Sequence, residues 1–247
     1  MEGLLWVAPE LASVPNRDGE LALHWAIRLS TPNPVFALLL QANPETAFWR
    51  DHQNSTPLSL LLERHQTSLL QNWRSQRKNL LDESNKTWKR LLSIFRAVHE
   101  AQNLGSSKNK FLPVHIAASR PCPPCLFPLM IEVYKEQLST EDIHGRLPLT
   151  IACTSPSANR SCDVSTKIEL LLREYPPAAK YSNSSRGRYP LHIALASGIL
   201  WNEGIHMLLQ AFPVALSIRD PITGLFPFSL AAMQENKSSV SPENSKE

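Results

Sequence analysis

The sequence predicts an all-α fold, a solenoid of about six helix-turn-helix repeats with an extended helical insertion in the second. Three observations predict it. A short punctuation recurs along the chain: a turn residue, then a proline, a leucine and a small residue. The copies stand mostly 35 to 42 residues apart, the spacing of stacked helical units. Between copies run apolar stripes of helical period that stop at proline.

Residues 1–15 read as an N-terminal lead-in. Asp18-Gly19 then precedes Leu21-Ala22-Leu23-His24-Trp25-Ala26, and the stripe Val35-Phe36-Leu38-Leu39-Leu40 ends at Ala42-Asn43-Pro44. The punctuation returns at Thr56-Pro57-Leu58, Leu112-Pro113-Val114-His115, Leu147-Pro148-Leu149-Thr150 and Phe226-Pro227-Phe228-Ser229. It is clearest at Gly187-Arg188-Tyr189-Pro190-Leu191-His192-Ile193-Ala194. Taking 22, 57, 113, 148, 190 and 227 as equivalent positions gives intervals of 35, 56, 35, 42 and 37. Three residues before them stand Gly19, Asn54, Lys110, Gly145, Gly187 and Gly224. Gly, and Asn after it, accepts the positive φ of a tight turn; only Lys110 departs. Proline then falls at the first helical position, where its missing N–H costs nothing. The second stripes echo one another too: Lys167 to Pro176 matches Gly204 to Pro213.

On these residues the chain resembles the ankyrin-repeat family, whose motif runs Gly-x-Thr-Pro-Leu-His-x-Ala before a Leu-Leu second helix. The resemblance covers residues 16–233, with 234–247 read as a disordered tail. It holds in register and drifts in letters. Only Thr56 keeps the family's Thr before the Pro, and its His survives as His24, His115 and His192 but is replaced by Ser59, Thr150 and Ser229. The resemblance implies that this polar residue bonds loop backbone and locks adjacent repeats.

The 56-residue interval marks the insertion, about residues 64–90. Helical spacing carries the first helix of repeat two on to about residue 82, with Ser84 or Asn85 free to cap a new helix bearing Trp88, Leu91, Leu92, Phe95 and Val98. Eight Lys and Arg stand against four acidic residues from Glu63 to Glu100. The stretch is either a longer helix pair with a solvated basic face or a projecting arm offering Leu69, Leu70 and Trp73 to a partner.

The chain of 247 residues is 43% hydrophobic and 19% charged, an ordinary globular balance. Its net charge of +3 is too small to diagnose a nucleic-acid binder. There is no basic segment followed by a long apolar run, and no apolar run nears the roughly 18 residues of a membrane span. The four cysteines, Cys122, Cys125, Cys153 and Cys162, suit a reducing compartment, so an intracellular, cytoplasmic location is expected. Cys122-Pro123-Pro124-Cys125 has the spacing of a redox dithiol or half a zinc site, but no βαβ pattern surrounds it. Packing or loop roles are expected for all four.

No phosphate loop, metalloprotease motif or nucleophile elbow is present, and no carboxylate pair stands out. No catalytic residue, cofactor or metal is expected. The reading is a non-enzymatic scaffold that binds a partner protein along its concave face and turns. Candidate contacts are Arg50, His52, Lys110, His144, Arg146, Arg186, Arg188 and Arg219 in the turns, with Leu69 and Trp73 in the insertion. Such a basic row favours an acidic or phosphate-bearing partner. Binding of nucleic acid or another anion through the same turns and the insertion is the alternative.

Overall fold

One turn is built five times, and its chemistry sets everything after it. Each copy opens on a short carboxylate or amide side chain: Asn16, Asp51, Asp142, Asn183 and Asp220. The side-chain oxygen folds back onto N–H groups further along, as Asp142 Oδ1 does onto His144 and Arg146 at 2.9 Å each. The opening residue also closes a backbone loop on itself, Asn16 to Glu20, Asp51 to Ser55, Asp142 to Arg146, Asn183 to Arg188 and Asp220 to Leu225. The tight return demands a positive φ, +66° at Gly145 and +60° at Asn54. At Gly145 the demand is double, because an added Cβ would lie 1.9 Å from Ser184 Oγ. A helix follows each turn, and four of these five helices open on the proline expected to open them.

The computed structural model describes residues 9–64, 81–103, 111–120, 122, 126–154 and 163–238. Among them it is all-helical, with 11 α-helices and no strand, and no helix is long and apolar enough to cross a membrane. The chain divides into two compact units, Met1–Pro123 and Pro124–Glu247.

The first unit holds α1 (Ala22–Arg28), α2 (Asn33–Ala42), α3 (Pro57–Arg64), α4 (Leu81–Asn103) and α5 (Pro113–Ser119). α1 packs on α2 and α3, and α3 on α5. α4 lies against α2 and the short 3₁₀ turn Pro44–Phe48. The buried stripe of α4 is Leu91, Ile94, Ala97, Val98 and Ala101, spaced three or four residues apart as one helical face requires. The large members stabilise by about 1.5–3 kcal/mol each on burial.

Several expectations for this region change. α4 begins at Leu81, ahead of both caps read at Ser84 and Asn85. Leu92, assigned to the stripe, is exposed, because it follows Leu91 by a single residue and so turns to another side of the helix. Arg90, counted on a solvated basic face, is buried: Nε donates to Asn33 Oδ1 at 2.9 Å, Nη2 donates to the Thr31 carbonyl, and the guanidinium lies 5.6 Å from the Phe36 ring centroid. From Thr87 onward α4 is thus a second helix packed on α2. Leu69, Leu70, Trp73 and Lys110 lie outside the described residues, as does the continuation of α3 to residue 82.

The second unit holds α6 (Leu126–Val133), α7 (Pro148–Ala152), α8 (Asp163–Glu174), α9 (Pro190–Ala196), α10 (Ile205–Ala211) and α11 (Pro227–Ser238). α7 pairs with α8 and α9 with α10; α9 then packs on α11 and α8 on α10. α9 buries Leu191, His192, Ile193 and Ala194 in succession because neighbours cover it on several sides. α11 runs to Ser238, into the stretch expected to be disordered.

One recurring element escaped the sequence reading. Where Pro44, Pro176 and Pro213 were taken only to stop a helix, each also opens a 3₁₀ turn, and Lys135–Ser139 is a fourth. These turns bury Ala47, Leu138, Ala178, Ala179 and Ala215. Each ends three residues before the Asn or Asp of a turn, and so fixes where that turn begins.

Candidate binding groove between two turns of the second unit

The second unit stacks three of the five turns, at 142–146, 183–188 and 220–225, and the two junctions between them differ. At the junction of 183–188 with 220–225, the third residue of α9 is His192. Its Nδ1 accepts from the Tyr189 N–H at 3.4 Å, which leaves Nε2 to donate to the Ile218 carbonyl at 3.0 Å. Arg188 reaches across the same junction. Its Nε lies 2.7 Å from Asp220 Oδ1 and its Nη2 3.1 Å from Oδ2. Burial opposes charge on Asp220, yet the Thr223 hydroxyl and the Arg188 guanidinium outweigh it and hold the carboxyl below its ordinary range. Burial also lowers the His192 pKa, against the opposing pull of the Ile218 carbonyl, so the ring is neutral.

At the junction of 142–146 with 183–188, the equivalent residue of α7 is Thr150. Its hydroxyl is fully buried and has no hydrogen-bond partner. The side chain is too short to span to the next turn as His192 does. Arg146 does not cross either. It folds onto its own turn, with Nε and Nη2 at 3.0 and 2.8 Å from Asp142 Oδ2. Burial opposes the Asp142 charge, and the hydrogen bonds from Arg146 and His144 overcome it, lowering that pKa as well. The bond recorded between these two turns is Ser184 N–H to the Gly145 carbonyl, at 3.3 Å.

A groove of about 650 Å³ opens at this under-locked junction. His144 and Arg146 line it from one turn, Arg186 and Arg188 from the next, and Thr150 and Thr154 from α7 and its end. No carboxylate lines it. The structure therefore gathers four of the turn residues singled out from sequence. Arg146 and Arg188 are tied to Asp142 and Asp220. Arg186 is exposed, and neither it nor His144 has a side-chain hydrogen bond or ion pair among the described residues. The groove thus offers one uncompensated cation, an imidazole, hydroxyls and an apolar wall from Ile143 and Ile193. That is an arrangement for holding an anion by hydrogen bonds, and it contains no paired acid and base.

No family model matches the chain, and no curated protein matches it.

The other candidates are placed elsewhere. Arg219 donates to the Gly224 carbonyl at 3.1 Å and lies over Phe226 at 4.4 Å. In the first unit, Arg50 Nη1 donates to Asn54 Oδ1 at 3.0 Å, and His52 donates its backbone N–H to the Asp18 carbonyl at 3.1 Å with its ring against Gly19. His24 accepts from the Leu21 N–H at 3.1 Å, and burial lowers its pKa against the raising effect of the Ser55 backbone. Ser59, where the motif has His, bonds only within its own helix start, to Thr56.

Cys122 and Cys153 are buried, and Cys125 and Cys162 lie outside the described residues. Burial pushes the Cys153 thiol up to about 12, so it is a packing group rather than a thiolate. Among the described residues no cluster of three or more metal-ligating side chains forms.

Sequence reasoning missed Thr150. It was read as a weaker copy of the motif's His. The useful signal was size: a shorter side chain at a position where its counterpart spans two turns leaves space and an unused hydroxyl.

Proposed function

We propose that this chain is a non-enzymatic, ankyrin-like binding module that holds a partner protein along its concave face and turns. One observation carries the reading. Five turns share one hydrogen-bonding plan, each set by an Asn or Asp and feeding a helix, so side chains at the turn tips are presented in a repeated register. Stacked units of this kind offer a broad surface on a rigid frame, which suits a partner segment better than a small substrate. The basic groove between 142–146 and 183–188 selects for acidic character in that partner. Localisation in the cytoplasm fits the thiol content and belongs to the same proposal.

The test is capture of a partner by the full chain, repeated with Arg186→Glu and Arg219→Glu. The reading expects a partner whose recovery falls with these changes and with rising salt. A partner retained equally by every turn variant would place the binding surface elsewhere and overturn the concave-face reading.

A further inference from the structure

The groove at the first junction of the second unit has a chemistry of its own. Three guanidinium groups and an imidazole border it, without a carboxylate among its lining residues. Two of the guanidinium groups are already neutralised by Asp142 and Asp220, which leaves Arg186 as the charge free to meet a ligand. Thr150 lines the same groove with a hydroxyl that is buried and unpartnered. An unmade hydrogen bond in such a place costs stability, so its retention asks for an occupant that makes it. A hydroxyl turns about a single bond, and can donate to an anion's oxygen once one is present.

We propose that this groove is an oxyanion subsite. It takes a carboxylate or phosphoryl group carried on an extended peptide of the partner. Arg186 supplies the charge-assisted hydrogen bonds, His144 a ring N–H, and Thr150 a donor from the floor. The isoleucines on either side, Ile143 and Ile193, accommodate the aliphatic part of the side chain that carries the anion. The inference deepens the binding-module reading and names the group its groove recognises. Peptide is preferred to nucleic acid because a single free cation at a confined site suits one anionic group, whereas a polyphosphate chain needs many contacts.

The experiment uses the full chain and two labelled peptides, one rich in glutamate and its phosphoserine counterpart, titrated by fluorescence anisotropy with inorganic phosphate as competitor. Both peptides are expected to compete for one site. Tighter binding of one identifies the source of the oxyanion as phosphoryl or carboxylate. Arg186→Ala should weaken binding about tenfold, the loss of a charge-assisted hydrogen bond. Thr150→Val should weaken it about fivefold while leaving the thermal midpoint unchanged or higher. Arg219→Ala, outside the groove, should change it less than about twofold.

Equal losses at Arg186 and Arg219 would mean diffuse charge attraction and would defeat the subsite. So would a Thr150→Val variant that binds like the parent, or an oligonucleotide of equal charge that binds tighter than both peptides. The two proposals fail separately. A captured partner indifferent to Arg186→Ala and Thr150→Val removes the subsite and leaves the module. Peptide binding that responds to both, with no partner dependent on the turns, removes the module and leaves the subsite.

Discussion

The two junctions of the second unit are built from the same parts and end in different states. Where α9 meets the turn at 220–225, His192 and Arg188 both cross: one donates to the Ile218 carbonyl, the other grips a carboxylate that is fully buried. Where α7 meets the turn at 183–188, Thr150 falls short and Arg146 turns back to Asp142. A single shortening at the third helical position leaves a hydroxyl unused and a groove open. The comparison teaches that a repeat is not only a copy. Substituting one locking residue converts a structural seam into a surface able to hold something.

The largest expected effect strikes the locked junction. Asp220→Ala leaves the Arg188 guanidinium without its partner in a site where it is mostly enclosed, and should cost about 3–5 kcal/mol. Asp142→Ala removes an ion pair whose arginine is far more exposed, together with two turn hydrogen bonds, and should cost about 1–2 kcal/mol. Urea denaturation of both variants checks the order. Equal losses would mean that Asp220 acts only within its own turn.

Next in size is His192→Ala, at about 2–3 kcal/mol. It removes the bond to the Ile218 carbonyl, strands that acceptor and opens a cavity in a buried seam. Thr150→Ala should cost about 1 kcal/mol, since no hydrogen bond is lost. Thermal unfolding of the pair measures the difference, and a Thr150 variant as damaging as the His192 one would show that the junctions are locked alike.

Turn positions, helix starts and the all-helical class were legible because they depend on local chemistry. Gly145 or Asn54 must follow an Asp by three residues for the turn to close, and Pro190 can only begin a helix. Pairing was not legible. Nothing in the spacing of Arg188 and Asp220 distinguishes them from Arg146 and Asp142, yet one pair crosses a junction and the other does not. Arg90 was misplaced for a related reason. Its charge suggested solvent, while Asn33 and the Thr31 carbonyl, distant in sequence, make burial affordable. The groove likewise arises from what Thr150 cannot reach, and a sequence does not display an unmade contact.

Acid should separate the two kinds of lock by pH. Burial holds the folded-state pKa values of His24 and His192 below their unfolded value of about 6.5. The stability these rings contribute is therefore complete above about pH 6.5 and decays as the pH falls toward their folded values. Asp142 and Asp220 are also lowered, from an unfolded value of about 3.9, so their contribution is complete above that pH and is lost as acid drops through their folded values. Urea midpoints should fall in two stages. His192→Gln should shrink the upper stage and spare the lower. An upper stage that survives removal of both His24 and His192 would assign it to other groups.

The smallest effect is the sharpest test of the comparison. Thr150→Val keeps the shape of the side chain and removes a hydroxyl that already lacks a partner in the free protein. Replacing an unsatisfied buried group by an apolar one of the same shape is neutral or stabilising, so the thermal midpoint should hold or rise by an amount worth less than about 1 kcal/mol. The same exchange at the equivalent place, His192→Val, should lower it by more than about 2 kcal/mol. If Thr150→Val is destabilising by a comparable amount, the hydroxyl has a partner in solution, and the first junction is locked by a contact of its own. If it is neutral, the hydroxyl is not kept for folding, and the groove it lines is where its use has to be sought.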